Sequence, residues 1–204
     1  EGPQPNQVST TIVMNTCAKA GREYDAAFAL FEDVESPDII AYNSAIALAE
    51  KAGDVDKAIS LLKRLIRAQD VSADDVSFCS AIAACERSSV PRFRVALRLL
   101  KESIKAVGPN APCYIATVQT LAAAGELKLA QELLTHECVK DFDSQSKYVL
   151  YRTVQVACAA AGDSMNADRL GEIMKENNLK ALVPLATARV GGCMQNFDNK
   201  IDFS

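Results

Sequence analysis

A short turn motif recurs along the chain at nearly constant spacing, and this limits the fold more than any other feature. The motif ends at five positions separated by 32, 36, 36 and 37 residues, namely Gly21, Gly53, Ser89, Gly125 and Gly162. An Asn or Asp stands fifteen residues before each of the first four: Asn6, Asp38, Asp74 and Asn110. Self-similarity at this period is typical of proteins built from stacked helical repeats.

Each unit has the pattern of two helices. Asn and Asp are strong N-caps, and glycine ends a helix because it tolerates a left-handed backbone. The second helix carries Ala and a pair of large apolar residues on one stripe, as in Ala58/Leu61/Leu62 and Ala96/Leu99/Leu100. Pro91 is expected in the first turn of the third unit's second helix, where proline is accepted.

These units predict an all-α fold of stacked repeats, because a single helix pair cannot bury its apolar stripe but stacked neighbours can. The expected architecture is an α-solenoid of about five helix–turn–helix repeats in a right-handed superhelix. The predicted single domain covers 1–204, with a partial C-terminal helix and tail at 184–204. The predicted repeats are 7–38, 39–74, 75–110, 111–147 and 148–183.

Composition agrees with closely packed helices. Apolar residues make up 49% of the chain but aromatic residues only 6%, and Trp is absent. The seven cysteines include no Cys-x-x-Cys pair, which favours reduced thiols inside a cell or organelle over secretion. No apolar run is long enough to span a bilayer. The formal net charge of −4 gives no simple reason to expect nucleic acid.

The best-kept unit runs from Ile39 to Gly53 and continues through Ala58 to Leu62. It resembles the pentatricopeptide repeat, whose unit reads roughly V-x-T-Y-N-x-L-I-x-x-x-x-K-A-G, then Ala-Leu-x-Leu-Phe, and closes on Pro-Asp. The resemblance covers about residues 5–180 and is strongest in the first two units. The Trp-x-x-Leu-Gly-x-x-Tyr opening of the tetratricopeptide repeat is missing.

The resemblance implies that each repeat addresses about one base of single-stranded RNA. In that family the second residue of a repeat sandwiches the base, here Val8, Ile40, Val76 and Pro112. The fifth and last residues read its edge. Thr11 with Asp38 then implies guanine, and Asn43 with Asp74 implies uracil. Cys79 with Asn110 is not a standard pair, and Ile115 with about Lys147 offers no usual edge contact.

Cations follow the same repeat. Lys19, Lys51 and Arg87 stand one helix-length after the base-reading positions, where a phosphate contact is expected. Repeats four and five have Ala123 and Ala160 instead, so code residues and cations are lost together. A second interpretation needs no RNA, because Asn and Asp are preferred helix caps and a cation suits the last helical turn.

A second basic region lies in the middle of the chain. From Ser60 to Lys105 there are nine Lys or Arg against five acids, whereas the first 59 residues have four against ten. The outer helix of the third unit holds five of these cations: Arg92, Arg94, Arg98, Lys101 and Lys105. They form either a solvated face or a candidate convex patch for a phosphate backbone or an acidic protein.

No enzyme, cofactor or metal site is expected from the residues, since His136 is the only histidine and no phosphate-binding glycine loop occurs. Two hypotheses remain. The resemblance implies a non-catalytic protein of a mitochondrion or chloroplast that binds single-stranded RNA for processing, stability or translation. The alternative is a repeat-derived scaffold subunit of an organellar complex, such as a ribosome or membrane energy-converting assembly, that binds protein.

Overall fold

The structure is a computed structural model, and it describes residues 7–180. The predicted cap Asn6 and the predicted partial helix and tail at 184–204 lie outside the described residues. Ten α-helices and one 3-10 helix follow each other, with no strand within 7–180. Their bounds are α1 Gln7–Ala20, α2 Tyr24–Glu32, α3 Ile39–Ala52, α4 Val55–Arg67, α5 Asp75–Arg87, α6 Phe93–Ala106, α7 Ala111–Ala123, α8 Leu127–Leu134, the 3-10 helix Glu137–Asp141, α9 Ser144–Ala160 and α10 Ser164–Glu176.

The helices form five pairs stacked side by side. The first helices α1, α3, α5, α7 and α9 each contact the next one and make one layer. Each second helix packs on its own first helix, and α2, α4, α6 and α8 also pack on the first helix of the following pair. This arrangement confirms the predicted all-α solenoid of five helix pairs.

Small side chains allow the first helices to lie close together. Ala41, Ala45 and Ala49 of α3 are completely buried, as are Ala81 and Ala84 of α5. The predicted stripes on the second helices are buried as well, including Ala58, Leu61 and Leu62 on α4 and Ala96, Leu99 and Leu100 on α6. One continuous core therefore runs between the two layers, as stacked repeats require.

The helix starts follow the predicted capping rule. The side chains of Asp38, Asp74 and Asn110 accept hydrogen bonds from the backbone N–H three residues later. Pro91 was predicted in the first turn of α6, and this was wrong. The N-cap Arg92 has a non-helical backbone and its N–H bonds to Cys85 O, so α6 begins at Phe93 and Pro91 precedes it.

The first helix of the fifth pair begins before residue 148, where the fifth repeat was expected to start. Helix α9 has 17 residues and starts at Ser144, four residues before the predicted repeat boundary. Asp143 is its cap and accepts hydrogen bonds from the N–H groups of Gln145 and Ser146. This cap adds one helical turn, so Lys147 lies inside the helix and its amino group donates to Lys140 O.

Candidate nucleic-acid interface

Large apolar side chains stand exposed at the same place in three successive first helices. Val8, Ile40 and Val76 are the second residues of α1, α3 and α5, and they are 68, 60 and 49% exposed. Pro112, the second residue of α7, is half-buried. A β-branched side chain left in water at one end of a helix contributes little to folding. A row of them provides flat apolar shelves at the edge of the first-helix layer.

The fifth and last residues of the second repeat lie in direct contact. Asn43 Nδ2 donates to Asp74 Oδ1 and Oδ2, each at 3.2 Å, across the seam between α3 and α5. The hydroxyl of Ser77 lies 2.6 Å from Asn43 Oδ1 and 2.7 Å from Asp74 Oδ1. Ser77 is completely buried, whereas Asn43 and Asp74 are half-buried. The three side chains form one small polar cluster beside the exposed Ile40 and Val76.

Asp74 therefore has two structural tasks besides any contact with RNA. Its carboxylate accepts the N–H of Ser77 at 2.9 Å, and the Ser77 hydroxyl accepts the N–H of Asp74 at 3.3 Å, which makes a reciprocal capping box. The same carboxylate orients the Asn43 amide. Ser77 was missed from the sequence, although the spacing Asp-x-x-Ser is itself a helix-start signal.

The first predicted pair is placed more openly. Asp38 is exposed and caps α3 by accepting the N–H of Ala41 at 2.8 Å. Thr11 is half-buried in the second turn of α1. It occupies the same position in α1 that Asn43 occupies in α3, with a hydroxyl in place of the amide. Both residues belong to the same edge of the first-helix layer as Val8 and Ile40.

The third and fourth pairs differ from the second pair in burial and in hydrogen bonding. Cys79 and Ile115 are each only 5% exposed, because both side chains belong to the core. The Asn110 amide nitrogen lies 3.4 Å from Ser103 Oγ and 3.4 Å from Gly108 O within its own repeat. Asp143, which directly precedes α9, was missed, although it shares the Asp-x-x-Ser spacing of Asp74. Hydrogen bonding from the Ser146 hydroxyl lowers the pKa of Asp143.

A buried carboxylate joins two of the three predicted phosphate contacts. The Glu50 side chain is 2% exposed and lies 3.6 Å from Lys51 Nζ and 3.1 Å from Arg87 Nε. Burial raises the pKa of Glu50, while the charges of Lys51 and Arg87 oppose that rise. Lys19, the third predicted contact, is exposed. Glu50 was missed because nothing local in the sequence separates it from the solvated acids.

Within the described part of the chain, one of the five cations in the predicted basic patch forms an ion pair, and the other four do not. The Arg92 guanidinium makes two hydrogen bonds to the Asp56 carboxylate at the start of α4, at 2.7 and 3.1 Å. Arg92 is therefore engaged between two repeats. The other four members are exposed along α6: Arg94, Arg98, Lys101 and Lys105.

Two other properties concern the described residues as a whole. None of the helices within 7–180 has the length and apolar character needed to cross a membrane. In the same part of the chain, no group of three or more His, Cys, Asp or Glu side chains is placed to hold a metal ion. His136 is exposed just after α8, and its Nδ1 lies 3.0 Å from the Tyr114 hydroxyl.

Comparison with known proteins shows which repeat family and which solved fold this chain resembles. Residues 40–69 match the family model described as PPR repeat. The Arabidopsis thaliana pentatricopeptide repeat-containing protein At4g33170 is 23% identical over 166 residues, which are 81% of this chain and 16% of that protein. The chloroplastic pentatricopeptide repeat-containing protein ELI1 of the same plant is 23% identical over 170 residues, or 83% of this chain and 26% of that protein.

The crystal structure of the maize pentatricopeptide repeat protein PPR10 has the same fold. Its TM-score is 0.67 at 23% sequence identity, and the match covers 87% of this chain and 25% of that chain. Several further Arabidopsis relatives are also named chloroplastic. The chain thus spans about a quarter or less of the length of the three proteins compared. The predicted resemblance to pentatricopeptide repeats is confirmed.

Proposed function

We propose that this chain, a pentatricopeptide repeat protein, binds single-stranded RNA along its first-helix layer without catalysing a reaction. The observation that carries the proposal is the combination found in the second repeat. Ile40 and Val76 are exposed on either side of a polar cluster in which Asn43 and Asp74 already touch. An apolar slot with a hydrogen-bonding group at its base is what a splayed nucleotide requires.

The chemistry of the slot follows from its side chains. A base inserted between Ile40 and Val76 covers apolar surface that is otherwise in water. The Asn43 amide offers one acceptor and two donors, which matches the N3–H and a carbonyl oxygen of uracil. The phosphate of the same nucleotide then points along α3 toward Lys51, which lies eight residues further and about 12 Å along the helix axis.

Binding to such a short array is expected to be modest. The described chain offers two repeats with polar reading pairs, and each stacked base contributes roughly 1–3 kcal/mol at best. That sum scarcely exceeds the free-energy cost of association. We therefore propose weak, sequence-preferring binding by these repeats, with Thr11 and Asp38 favouring guanine beside the uracil slot. The chloroplastic names of several relatives support action in a chloroplast or mitochondrion.

A specific observation supports a second candidate function. Cys79 and Ile115 are buried at the positions where bases are read, and Ala123 and Ala160 replace the cations. The second half of the first-helix layer thus lacks both reading groups and cations at these positions, and it exposes small side chains such as Ala123 and Ala160 that suit contact with protein. In this alternative the chain is a scaffold subunit of an organellar complex.

The test is selection from a pool of single-stranded RNAs by the parent chain and by an Asn43→Ala, Asp74→Asn variant. Asn caps a helix about as well as Asp, so the variant keeps its fold while losing the pair. RNA binding predicts enriched sequences for the parent and loss of preference at one base position for the variant. A control variant, Asn177→Ala with Asp70→Asn, makes the same chemical changes at exposed sites and should behave as the parent. The absence of any enriched sequence would favour the scaffold.

A further inference from the structure

Four cations form a straight stripe on the outer face of α6. Arg94, Arg98, Lys101 and Lys105 follow the spacing i, i+4, i+7 and i+11, and all four are exposed. At about 100° per residue they fall within roughly 60° of the helix circumference. The buried residues of α6 lie on the opposite side: Ala96, Leu99, Leu100 and Ser103. The stripe therefore points away from the core on the second-helix layer.

The neighbouring second helix extends this stripe. Lys63 and Arg67 of α4 are exposed, and α4 is tied to the start of α6 by the Asp56–Arg92 ion pair. We call these six side chains the outer basic surface: Lys63, Arg67, Arg94, Arg98, Lys101 and Lys105. Within residues 7–180 none of the six forms an ion pair.

The outer basic surface contrasts with the rest of the molecule. Six positive charges that form no ion pair within residues 7–180 are concentrated on two helices of a chain whose formal net charge is −4. The outward carboxylate on α4, Asp56, is already engaged by Arg92. On α6, Glu102 lies at the flank of the stripe. A field of one sign on an otherwise acidic protein favours an extended polyanion as the partner.

Among the described residues, the outer basic surface has no large apolar centre, and this favours a nucleic acid over an acidic protein as its partner. Protein interfaces are built around large apolar or aromatic anchors, and their centres are depleted of charge. Here Ile66, 50% exposed, is the large apolar side chain that α4 offers, and Val90 and Val107 lie beyond the two ends of α6. Phosphodiester backbones need only well-spaced cations, because ion release supplies the affinity without base contacts.

We propose that the outer basic surface binds the phosphate backbone of RNA that continues beyond the base-reading slot, without sequence preference. The inference rests on the proposed function, since the RNA is first held on the first-helix layer. From Arg94 to Lys105 the stripe is about 16 Å long, which spans several nucleotides of an extended strand. The surface thereby supplies attraction that two reading repeats in an acidic chain lack.

The test measures salt-dependent binding of fluorescent RNAs of about 6 and about 30 nucleotides. The parent is compared with the variant Arg94→Gln, Arg98→Gln, Lys101→Gln, Lys105→Gln. All four side chains are exposed, so the fold is retained, and circular dichroism verifies this. The matched control changes four other exposed cations to glutamine and alters net charge equally: Lys128, Arg152, Arg169 and Lys175.

The proposal predicts an effect that depends on RNA length. For the long RNA, the slope of log affinity against log salt becomes shallower by about 3 in the α6 variant, because four phosphate contacts are lost. The control variant and the short RNA should show little change, and base preference should persist. Equal slopes for the parent and the α6 variant would overturn this inference while leaving the proposed function intact. If the parent binds neither RNA, the proposed function falls and this inference falls with it.

Discussion

Asn43 Nδ2 lies 3.2 Å from both carboxylate oxygens of Asp74, although 31 residues separate these two side chains in the sequence. In the free protein the two predicted base-reading groups thus satisfy each other. A bound base exchanges these hydrogen bonds for new ones, so the net gain in free energy is small. Under the proposed function, affinity then comes mainly from apolar contact and charge. The polar pair would provide selectivity, because a wrong base leaves its hydrogen-bonding groups unpaired.

Replacing Ile40 by Ala should weaken RNA binding without unfolding the protein. The side chain is 60% exposed, so the free energy of unfolding is expected to change by less than about 0.5 kcal/mol. Loss of the apolar shelf costs roughly 1 kcal/mol of binding, which is about fivefold in Kd for a uracil-rich RNA. Ile66→Ala on α4 is the control, because that side chain is 50% exposed on the other layer. If anisotropy titrations gave the same change in Kd for both substitutions, the proposal that a base binds beside Ile40 would be contradicted.

Removing the Asp74 carboxylate should lower stability through the helix cap. Asp74→Ala is expected to cost about 1–2 kcal/mol of unfolding free energy, because the N–H of Ser77 and the Asn43 amide both lose their acceptor. Asp74→Asn should cost much less, since the amide oxygen still caps α5. Urea denaturation compares the two with Asp70→Ala, an exposed acid outside the helices. A similar loss for Asp74→Ala and Asp74→Asn would show that the cap is unimportant.

Gly53 should tolerate substitution less well than Gly125. Both glycines have a left-handed backbone, with φ of 69° and 76°, so alanine costs about 1–2 kcal/mol at either site. A Cβ on Gly53 would also meet Arg87 O at 3.0 Å, whereas one on Gly125 meets nothing within 4 Å. We expect Gly53→Ala to be destabilised by roughly 1 kcal/mol more, because α3 and α5 must separate. Equal urea midpoints for the Gly53→Ala and Gly125→Ala variants would mean that α3 and α5 separate without cost.

The sequence allowed the helix pairs to be predicted because their signals are local. Caps such as Asp38 and stops such as Gly53 act within a few residues, and the period then places equivalent positions of neighbouring repeats side by side. The resemblance to the pentatricopeptide repeat paired Asn43 with Asp74, and the structure brings these two side chains into contact. The bounds were less exact: the fifth repeat was expected from residue 148, whereas the Asp143 cap begins α9 at Ser144.

Contacts between repeats were harder to predict because their partners are one period apart. Arg64 pairs with Glu32, Arg92 with Asp56 and Arg87 with Glu50, at separations of 32, 36 and 37 residues. Opposite charges separated by one repeat are therefore a usable signal, but the sequence alone does not tell which of them are buried. The burial of Cys79 and Ile115 at reading positions was likewise suggested only by their residue types.

Glu50 should make stability depend on pH in the direction opposite to an ordinary paired carboxylate. Burial raises its pKa above the usual 4.5, despite Lys51 and Arg87. Between the unfolded and folded pKa values the folded state binds more protons, so this group's contribution to stability falls as pH rises through that interval. Glu50→Gln mimics the protonated side chain. The variant should match the parent below pH 4.5 and become the more stable protein above it.

Urea denaturation of parent and Glu50→Gln from about pH 4 to 7 measures this difference directly. The control is Glu102→Gln, which makes the same chemical change at an exposed carboxylate of α6. The variant also removes the charge that holds Arg87, so its RNA affinity should rise as the cation becomes available to phosphate. If the variant instead loses stability as the pH rises, the carboxylate is stabilised by its two cations more than burial disfavours it.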